Sequence, residues 1–268
     1  MKPVRPIRRP KSGVSFFLPP RLGFWLVLLL LGLGTAPVFS RSEVYLEEFY
    51  GGRLIRKIDT NQKIVALTFD DGPDPVYTPQ ILEFLKARRL KADFFLMGKH
   101  ARQYPEIVRR MAEEGQEIGN HTYSHPDLLL KREYTVREEI EQCDRVIFDL
   151  LGVKPLLFRP PYGLEPQKAA RECNALGHLA VDWNISPRDW ARPGVNKMLE
   201  RILKRLAPGS IILLHDGGGD RSQTVALLPP LIEQLKKRGY RILTVEAMLE
   251  AASQERPKAG DRPPSLLP

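Results

Sequence analysis

Through most of the chain, short β-rich apolar runs alternate with stretches of helical period. Predicted strands are Ile64–Phe69, Asp93–Met97, Glu117–Gly119, Leu156–Phe158, His178–Asp182, Ser210–Leu214 and Arg241–Val245. Predicted helices are Pro79–Leu90, Pro105–Glu114, Thr135–Leu151, Pro166–Leu176, Val195–Leu206, Val225–Arg238 and Glu246–Ala252. Ile81, Leu82, Phe84 and Leu85 supply the apolar residues of the first helix. Pro105 suits a first helical turn, Thr135 and Glu138 have capping-box spacing, and Gly152 suits a helix stop. Strands mostly followed by helices predict one α/β domain over residues 58–252, most simply a closed or nearly closed barrel.

Ahead of this domain the pattern changes. Leu22–Phe39 is almost free of polar groups, and residues 1–40 hold six basic residues (Lys2, Arg5, Arg8, Arg9, Lys11, Arg21) and no acidic one. A basic flank before an apolar run is the layout of a secretory signal, here with a cleavage point after Ser40. The same run, left uncut, is long enough for a membrane anchor at residues 22–39 with its positive end inside. Either reading puts the body outside the cytoplasm. Residues 41–57 read as a lead-in, and residues 253–268, with their Lys/Arg, Pro and Gly, as a disordered tail.

Composition narrows the picture further. Of the 268 residues, 43% are hydrophobic and 27% charged, which fits a globular core and excludes a fibrous or disordered chain. No internal repeat of solenoid period is present. Six of the nine net positive charges lie in residues 1–40, so the body is only mildly basic and nucleic-acid binding loses its support. Cys143 and Cys173 are too few for a disulfide scaffold, and spacing leaves open whether they pair.

The ends of the predicted strands collect polar residues: Thr68-Phe-Asp-Asp-Gly-Pro-Asp74, Asn120-His-Thr-Tyr-Ser-His-Pro-Asp127, Phe158-Arg-Pro-Pro-Tyr-Gly163, Asp182-Trp183 with Ser186-Pro-Arg-Asp-Trp190, and Ile211-Ile-Leu-Leu-His-Asp216. Barrel active sites sit at the carboxyl ends of the strands. His121 and His125 are four apart and can point the same way, although Pro126 disfavours a helix at His125. With one carboxylate they would make a two-histidine, one-carboxylate set with open positions, the arrangement of a catalytic zinc; cobalt or nickel suits the same donors. Asp70 and Asp71 offer the carboxylate. Extended backbone would make their side chains diverge, so that one binds metal and the other faces its water. Each motif alone is weak, since lone histidines are often core residues and Asp-Asp-Gly-Pro is often a turn. At neighbouring strand ends they favour a metal site together.

His215 closes an apolar strand and is either a core histidine or a general acid tuned by Asp216 or another carboxylate. Leu213 shares its face and could line a methyl-sized pocket. Arg159 is either a surface cation or the holder of a carboxylate base. Asp189 is a partner for Arg159 or an orienter of His215. Tyr162, Trp183 and Trp190 are either core aromatics or flat walls for a sugar ring, and the Tyr162 N–H could support an oxyanion.

On these residues the chain resembles the polysaccharide deacetylase family, the NodB-homology carbohydrate esterases. The resemblance runs over Lys63–Ala251 and rests on Thr68–Pro73, His121–His125, Arg159–Gly163, Ser186–Trp190 and Ile211–Asp216, in that order. Asp182-Trp183 competes for the fourth motif. The resemblance implies a distorted (β/α)7 barrel forming a single catalytic domain. It implies removal of N- or O-acetyl groups from cell-wall or related polysaccharides with a divalent metal, commonly zinc; with the export layout, the expected reaction is N-deacetylation of an envelope or extracellular polysaccharide of peptidoglycan or chitin type. By the same resemblance Asp70 is the general base, acting on metal-activated water, and His215 the general acid. Asp71, His121 and His125 bind the metal, Arg159 orients Asp70, and Asp189 tunes the acid–base pair. Trp190 and Leu213 line the acetyl pocket. The expected partner is an acetylated polysaccharide, with no nucleic acid. Two other readings fit the barrel: a hydrolase of small linear or cyclic amides, and a non-catalytic module that binds wall glycan.

Overall fold

The computed structural model describes residues 54–163 and 167–255. Residues 1–40, read as a signal or anchor with its apolar run at 22–39, lie outside the described residues, as do most of the stretch read as lead-in and the residues beyond 255. The elements are β1 (Ile64–Asp70), α1 (Tyr77–Ala87), β2 (Asp93–Leu96), α2 (Gly98–Gln103), α3 (Pro105–Glu113), β3 (Glu117–Asn120), α4 (Glu133–Leu151), β4 (Leu157–Phe158), α5 (Gln167–Ala175), β5 (Leu179–Ala180), α6 (Val195–Arg205), β6 (Ser210–His215), α7 (Ser222–Lys237), β7 (Arg241–Ile242) and α8 (Val245–Gln254).

The strands pair in the order β5-β4-β3-β2-β1-β6, all parallel, with β7 beside the first two residues of β1. Between the edge strands β5 and β6, the described residues form only isolated bridges: Ile55 with Val181, Lys57 with Ser210, and Ile185 with Ile212. The result is the expected distorted (β/α)7 barrel, a curled parallel sheet wrapped in helices. Its distortion follows from β4, β5 and β7, each two residues long and unable to carry a continuous ladder. Residues 55–57, within the segment read as lead-in, supply two of the closing bridges.

Strand alternation places the site. In β1, Val65, Leu67 and Phe69 pack outward with Ile81, Leu82 and Leu85 of α1. Ile64 and Ala66 pack inward with Phe95, Leu157, Leu179 and Ile211. The same period carries Thr68 and Asp70 up the inner face, Leu213 and His215 above Ile211, and Arg159 above Leu157. The lower lumen is thus apolar and its carboxyl end polar. Val245, Met248 and Leu249 of α8 join the lower cluster and stopper the amino end. Asp93, at the start of β2, accepts the Val245 N–H at 3.0 Å, and the Thr244 hydroxyl accepts that of Ala247 at 3.3 Å, so the first turn of α8 is capped. Each large side chain buried in this platform contributes roughly 1.5–3 kcal/mol.

Three local expectations change. α4 begins at Glu133 with Arg132 at its N-cap and no side-chain cap, so Thr135 lies inside the first turn and the capping box is not used. Glu133 there suits the positive end of the helix. Gly152 does close α4, in the left-handed conformation at φ 72°. The six-residue α2 is too short for its period to show in the sequence. α8 runs to Gln254, two residues into the stretch read as tail. Cys143 and Cys173 are free, buried thiols in separate apolar clusters, and burial pushes both pKa values up. Among the described residues no helix is long and apolar enough to cross a membrane.

Candidate active site

Asp70 ends β1 and is buried, 3% exposed. Its Oδ1 accepts from Arg159 Nη1 at 2.6 Å, and the same nitrogen donates to the Thr68 hydroxyl at 2.7 Å. Nε and Nη2 of Arg159 donate to the carbonyls of Val181 and Asp182, both at 3.2 Å. The guanidinium is fully buried, 4.0 Å over the centroid of the Phe95 ring. Thr68 donates in turn to the Ile212 carbonyl at 3.0 Å. Arg159 is therefore held on every side, and it fixes one oxygen of Asp70 while leaving Oδ2 toward the lumen. Burial raises the Asp70 pKa, and Arg159 only partly offsets it, so the carboxylate is a stronger base than an exposed one.

His215 ends β6. Its Nδ1 donates to Asp189 Oδ1 at 2.8 Å, and its backbone N–H to Asp189 Oδ2 at 2.8 Å. The Thr224 hydroxyl donates to the same Oδ2 at 2.8 Å. Because a carboxylate accepts, Nδ1 carries the proton, and Nε2 is left for the cavity. Burial lowers the His215 pKa, but the bond to Asp189 and its charge outweigh burial, and the net shift is upward.

Asp71 lies one residue past β1 at φ 71°. The extended Asp70–Asp71 segment expected from sequence is not formed. The left-handed turn, which aspartate tolerates, brings both carboxylates to one imidazole instead of letting them diverge. His121 Nε2 is 3.7 Å from Asp70 Oδ2 and 3.6 Å from Asp71 Oδ1, and His125 Nε2 is 3.3 Å from Asp71 Oδ1. His100 Nδ1 holds the turn by donating to the Asp71 carbonyl at 2.8 Å. Gly217 admits the same carbonyl, since a Cβ there would stand 2.2 Å from its oxygen. The His121–His125 segment is irregular, as Pro126 foretells: Thr122 and His125 have φ of 67° and 59°.

Ligand atoms of Asp71, His121 and His125 all lie within 4.8 Å of one another. His121 Nδ1 donates to the Arg159 carbonyl at 2.7 Å, which presents Nε2 as a lone pair. Burial, opposed by Asp71, pushes the His121 pKa down to about 3, so the ring is neutral. Asp71 Oδ1 is buried without a hydrogen-bond partner. Acceptors that face one another with no proton between them are a donor set for a cation. The residues fit a divalent metal.

Of the ten site residues expected from sequence, all but Arg159 and Asp189 line one cavity of about 420 Å³; those two stand behind Asp70 and His215. Trp183 and Ser186 complete the wall. The Tyr162 ring packs edge-on against His125, centroids 4.6 Å apart. Tyr162 and Trp190 are 60% and 56% exposed, so both offer aromatic surface to solvent. Leu213 is buried beside His215.

Three open alternatives are decided. Asp189 pairs with His215, and the carboxylate of Arg159 is Asp70. Asp216 does not tune His215; it accepts from the Thr78 hydroxyl at 2.6 Å, and burial pushes its pKa to about 7 against that bond. The Asp182 carboxylate accepts from Arg56 at 3.2 Å, and only its backbone carbonyl serves the site. Sequence reasoning misses Thr224, His100 and the pairing role of Thr68. Nothing local marks them.

A barrel that gathers a buried Asp–Arg pair, a carboxylate-backed histidine and an Asp-His-His cluster around one cleft has the parts a hydrolytic enzyme needs. The family model described as polysaccharide deacetylase matches residues 57–181, stopping short of Asp189 and His215. A peptidoglycan-N-acetylglucosamine deacetylase of Bacillus cereus is 41% identical over 201 residues, covering 74% of this chain and 93% of that protein. A chitooligosaccharide deacetylase of Bradyrhizobium sp. is 41% identical over 190 residues, covering 66% and 87%. The solved structure of a peptidoglycan N-acetylglucosamine deacetylase in complex with 4-naphthalen-1-yl-N-oxidanyl-benzamide superposes with a TM-score of 0.72 at 37% identity, covering 76% of this chain and 95% of that one. The chain belongs to the polysaccharide deacetylase family.

Proposed function

We propose that this protein is a metal-dependent N-deacetylase of an acetylated envelope polysaccharide, working outside the cytoplasm. The observation that carries the reading is the meeting of Asp70, His215 and the Asp71–His121–His125 cluster on the wall of one cavity. Asp71, His121 and His125 would hold the divalent cation, best zinc for two nitrogens and an oxygen. Bound there, it supplies Lewis-acid polarisation and acidifies water. Asp70, fixed through Oδ1 by Arg159, takes the proton of the attacking water at Oδ2. His215 delivers the proton on Nε2 to the departing nitrogen, and Asp189 stabilises the imidazolium before transfer. The Tyr162 N–H supports the carbonyl oxygen as charge develops. Leu213 and Trp190 flank the acetyl methyl, while Tyr162 and Trp183 offer faces to the sugar. The products are acetate and a free amino sugar.

The relatives' names support an N-acetylglucosamine polymer as substrate. The basic and apolar N-terminal layout supports export, with residues 22–39 cut off as a signal or kept as an anchor. The exposed aromatic faces favour a polymer over a small amide. A purely binding module has no need of a complete base, acid and orienting pair. Acetate release from a panel of chitooligomers, peptidoglycan, acetylated xylan and small acetamides tests the reading. Release from the N-acetylglucosamine polymers is expected. Release from small amides alone, or from nothing, overturns it.

A further inference from the structure

A second cavity, of about 630 Å³, continues from the acetyl pocket, and Tyr162, Trp183, Ser186 and Trp190 belong to both. Among the described residues the rest of its wall is Arg188, Arg201, Lys204 and Arg205, with no carboxylate. Three of these cations share one face of α6, at i, i+3 and i+4, while Met198 and Ile202 are buried in the core. Cations in a last helical turn also suit the helix dipole, which accounts for Lys204 and Arg205 as isolated residues. It does not account for Arg188, which comes from the loop before Asp189 and faces the same space.

Among the described residues, no carboxylate lies within ion-pair distance of Arg188, Lys204 or Arg205, whereas nearby Arg192 is paired with Asp220 at 2.7 Å. Arg201 donates to the Pro187 carbonyl at 2.7 Å, tying α6 to the loop that carries Asp189 and Trp190. The cationic wall and the acid-orienting loop are thus one piece. Like charges gathered in a cleft repel one another and attract an anion.

We propose that this cleft is a subsite for carboxylates carried by the glycan, so that the enzyme prefers an acidic wall polymer to a neutral one. The inference rests on the deacetylase reading and names its substrate class. A sugar seated on Trp190 and Tyr162 puts its neighbour along the shared aromatic wall, and groups hanging from that neighbour meet the cations. Guanidinium groups match carboxylate geometry. A peptidoglycan strand carries lactyl-linked stem-peptide carboxylates beside its N-acetylglucosamine units, and a chitin-type strand carries none.

The test compares two substrates of equal sugar count, chitotetraose and a soluble peptidoglycan tetrasaccharide with its stem peptides, on the full chain. The variants are Arg188→Gln, Lys204→Gln/Arg205→Gln, and the charge-keeping Lys204→Arg/Arg205→Lys. Exposed charge contacts are individually weak, so the double neutral variant is expected to lose about tenfold in kcat/KM on the acidic strand, mainly through KM. Wild-type activity on that strand should fall with added salt. The charge-keeping variant should retain the preference, and chitotetraose should be unaffected throughout. An equal loss on both substrates, or none on the acidic one, overturns the subsite. Wild-type activity on chitotetraose alone also overturns it and leaves the deacetylase reading standing. No acetate from either substrate strikes that reading itself, and the subsite falls with it.

Discussion

Asp70 and His215 are register partners across the parallel pair β1–β6. Adjacent strands lie roughly 4.8 Å apart, so the backbones of the proposed base and the proposed acid stand one strand spacing apart. Each has a buried partner of opposite charge behind it, Arg159 for Asp70 and Asp189 for His215. The sheet itself, rather than a loop, sets the spacing of these two residues.

The pairing of His215 with Asp189 fixes an alkaline limit. In the proposed mechanism catalysis needs the His215 proton, and Asp189 holds that proton to higher pH than an ordinary histidine would. Activity should fall as pH rises through that elevated pKa. Asp189→Asn removes the largest upward influence and leaves only the charges of Asp70 and Asp71 against burial, so the alkaline limb of kcat/KM should move to lower pH. A limb that stays in place would mean that His215 is not the acid.

Arg159 is predicted to be a stability residue as well as a positioning one. Breaking a buried pair by removing one partner costs about 3–5 kcal/mol, and Arg159→Ala also takes a donor from Thr68 and from the carbonyls of Val181 and Asp182. Denaturant unfolding should show that loss. Arg159→Lys should recover little, since a single ammonium cannot reach Asp70, Val181 and Asp182 together. A loss below about 1 kcal/mol, the range of a surface pair, would contradict the buried arrangement.

Thr224→Val removes one of the three donors to Asp189. A hydrogen bond to a charged group is worth roughly 1.5–3 kcal/mol, and thermal melts should show a loss of that order. Turnover should drop while KM holds, because Thr224 acts through His215 and touches no substrate. A change confined to KM would point to a different role.

Leu213 is predicted to limit the acyl group. One methylene in an apolar pocket is worth about 1–3 kcal/mol of discrimination. Leu213→Ala should therefore raise the propionyl-to-acetyl ratio of kcat/KM about tenfold or more, measured on N-acylated chitooligomers. An unchanged ratio would place the acyl group elsewhere in the cavity.

The positions of Asp70, Arg159 and His215 are legible in the sequence because each ends or follows an apolar strand, and strand alternation says which side chains face inward; His121 is legible from its spacing to His125. The partner of Asp189 is not legible. The stretch from Trp183 to Gly194 has no period, and only tertiary approach sets His215 rather than Arg159 against it. The turn at Asp71 is hidden for a related reason: alternation implies extension, while the left-handed backbone is stabilised by His100, which is 29 residues away in sequence. Thr224 reaches Asp189 across 35 residues. Such single, long-range hydrogen bonds leave no local pattern.

The central claim is that Asp71, His121 and His125 hold a cation beside a base that is not itself a ligand. Zinc content and acetate release, measured together on chelated and zinc-restored wild type, Asp70→Asn and His125→Ala, test it most directly. The account predicts that chelation abolishes release in the wild type and that zinc restores it. Asp70→Asn should bind zinc and release nothing, and His125→Ala should fail to retain the metal. Undiminished release after chelation, or an active Asp70→Asn protein, would contradict it.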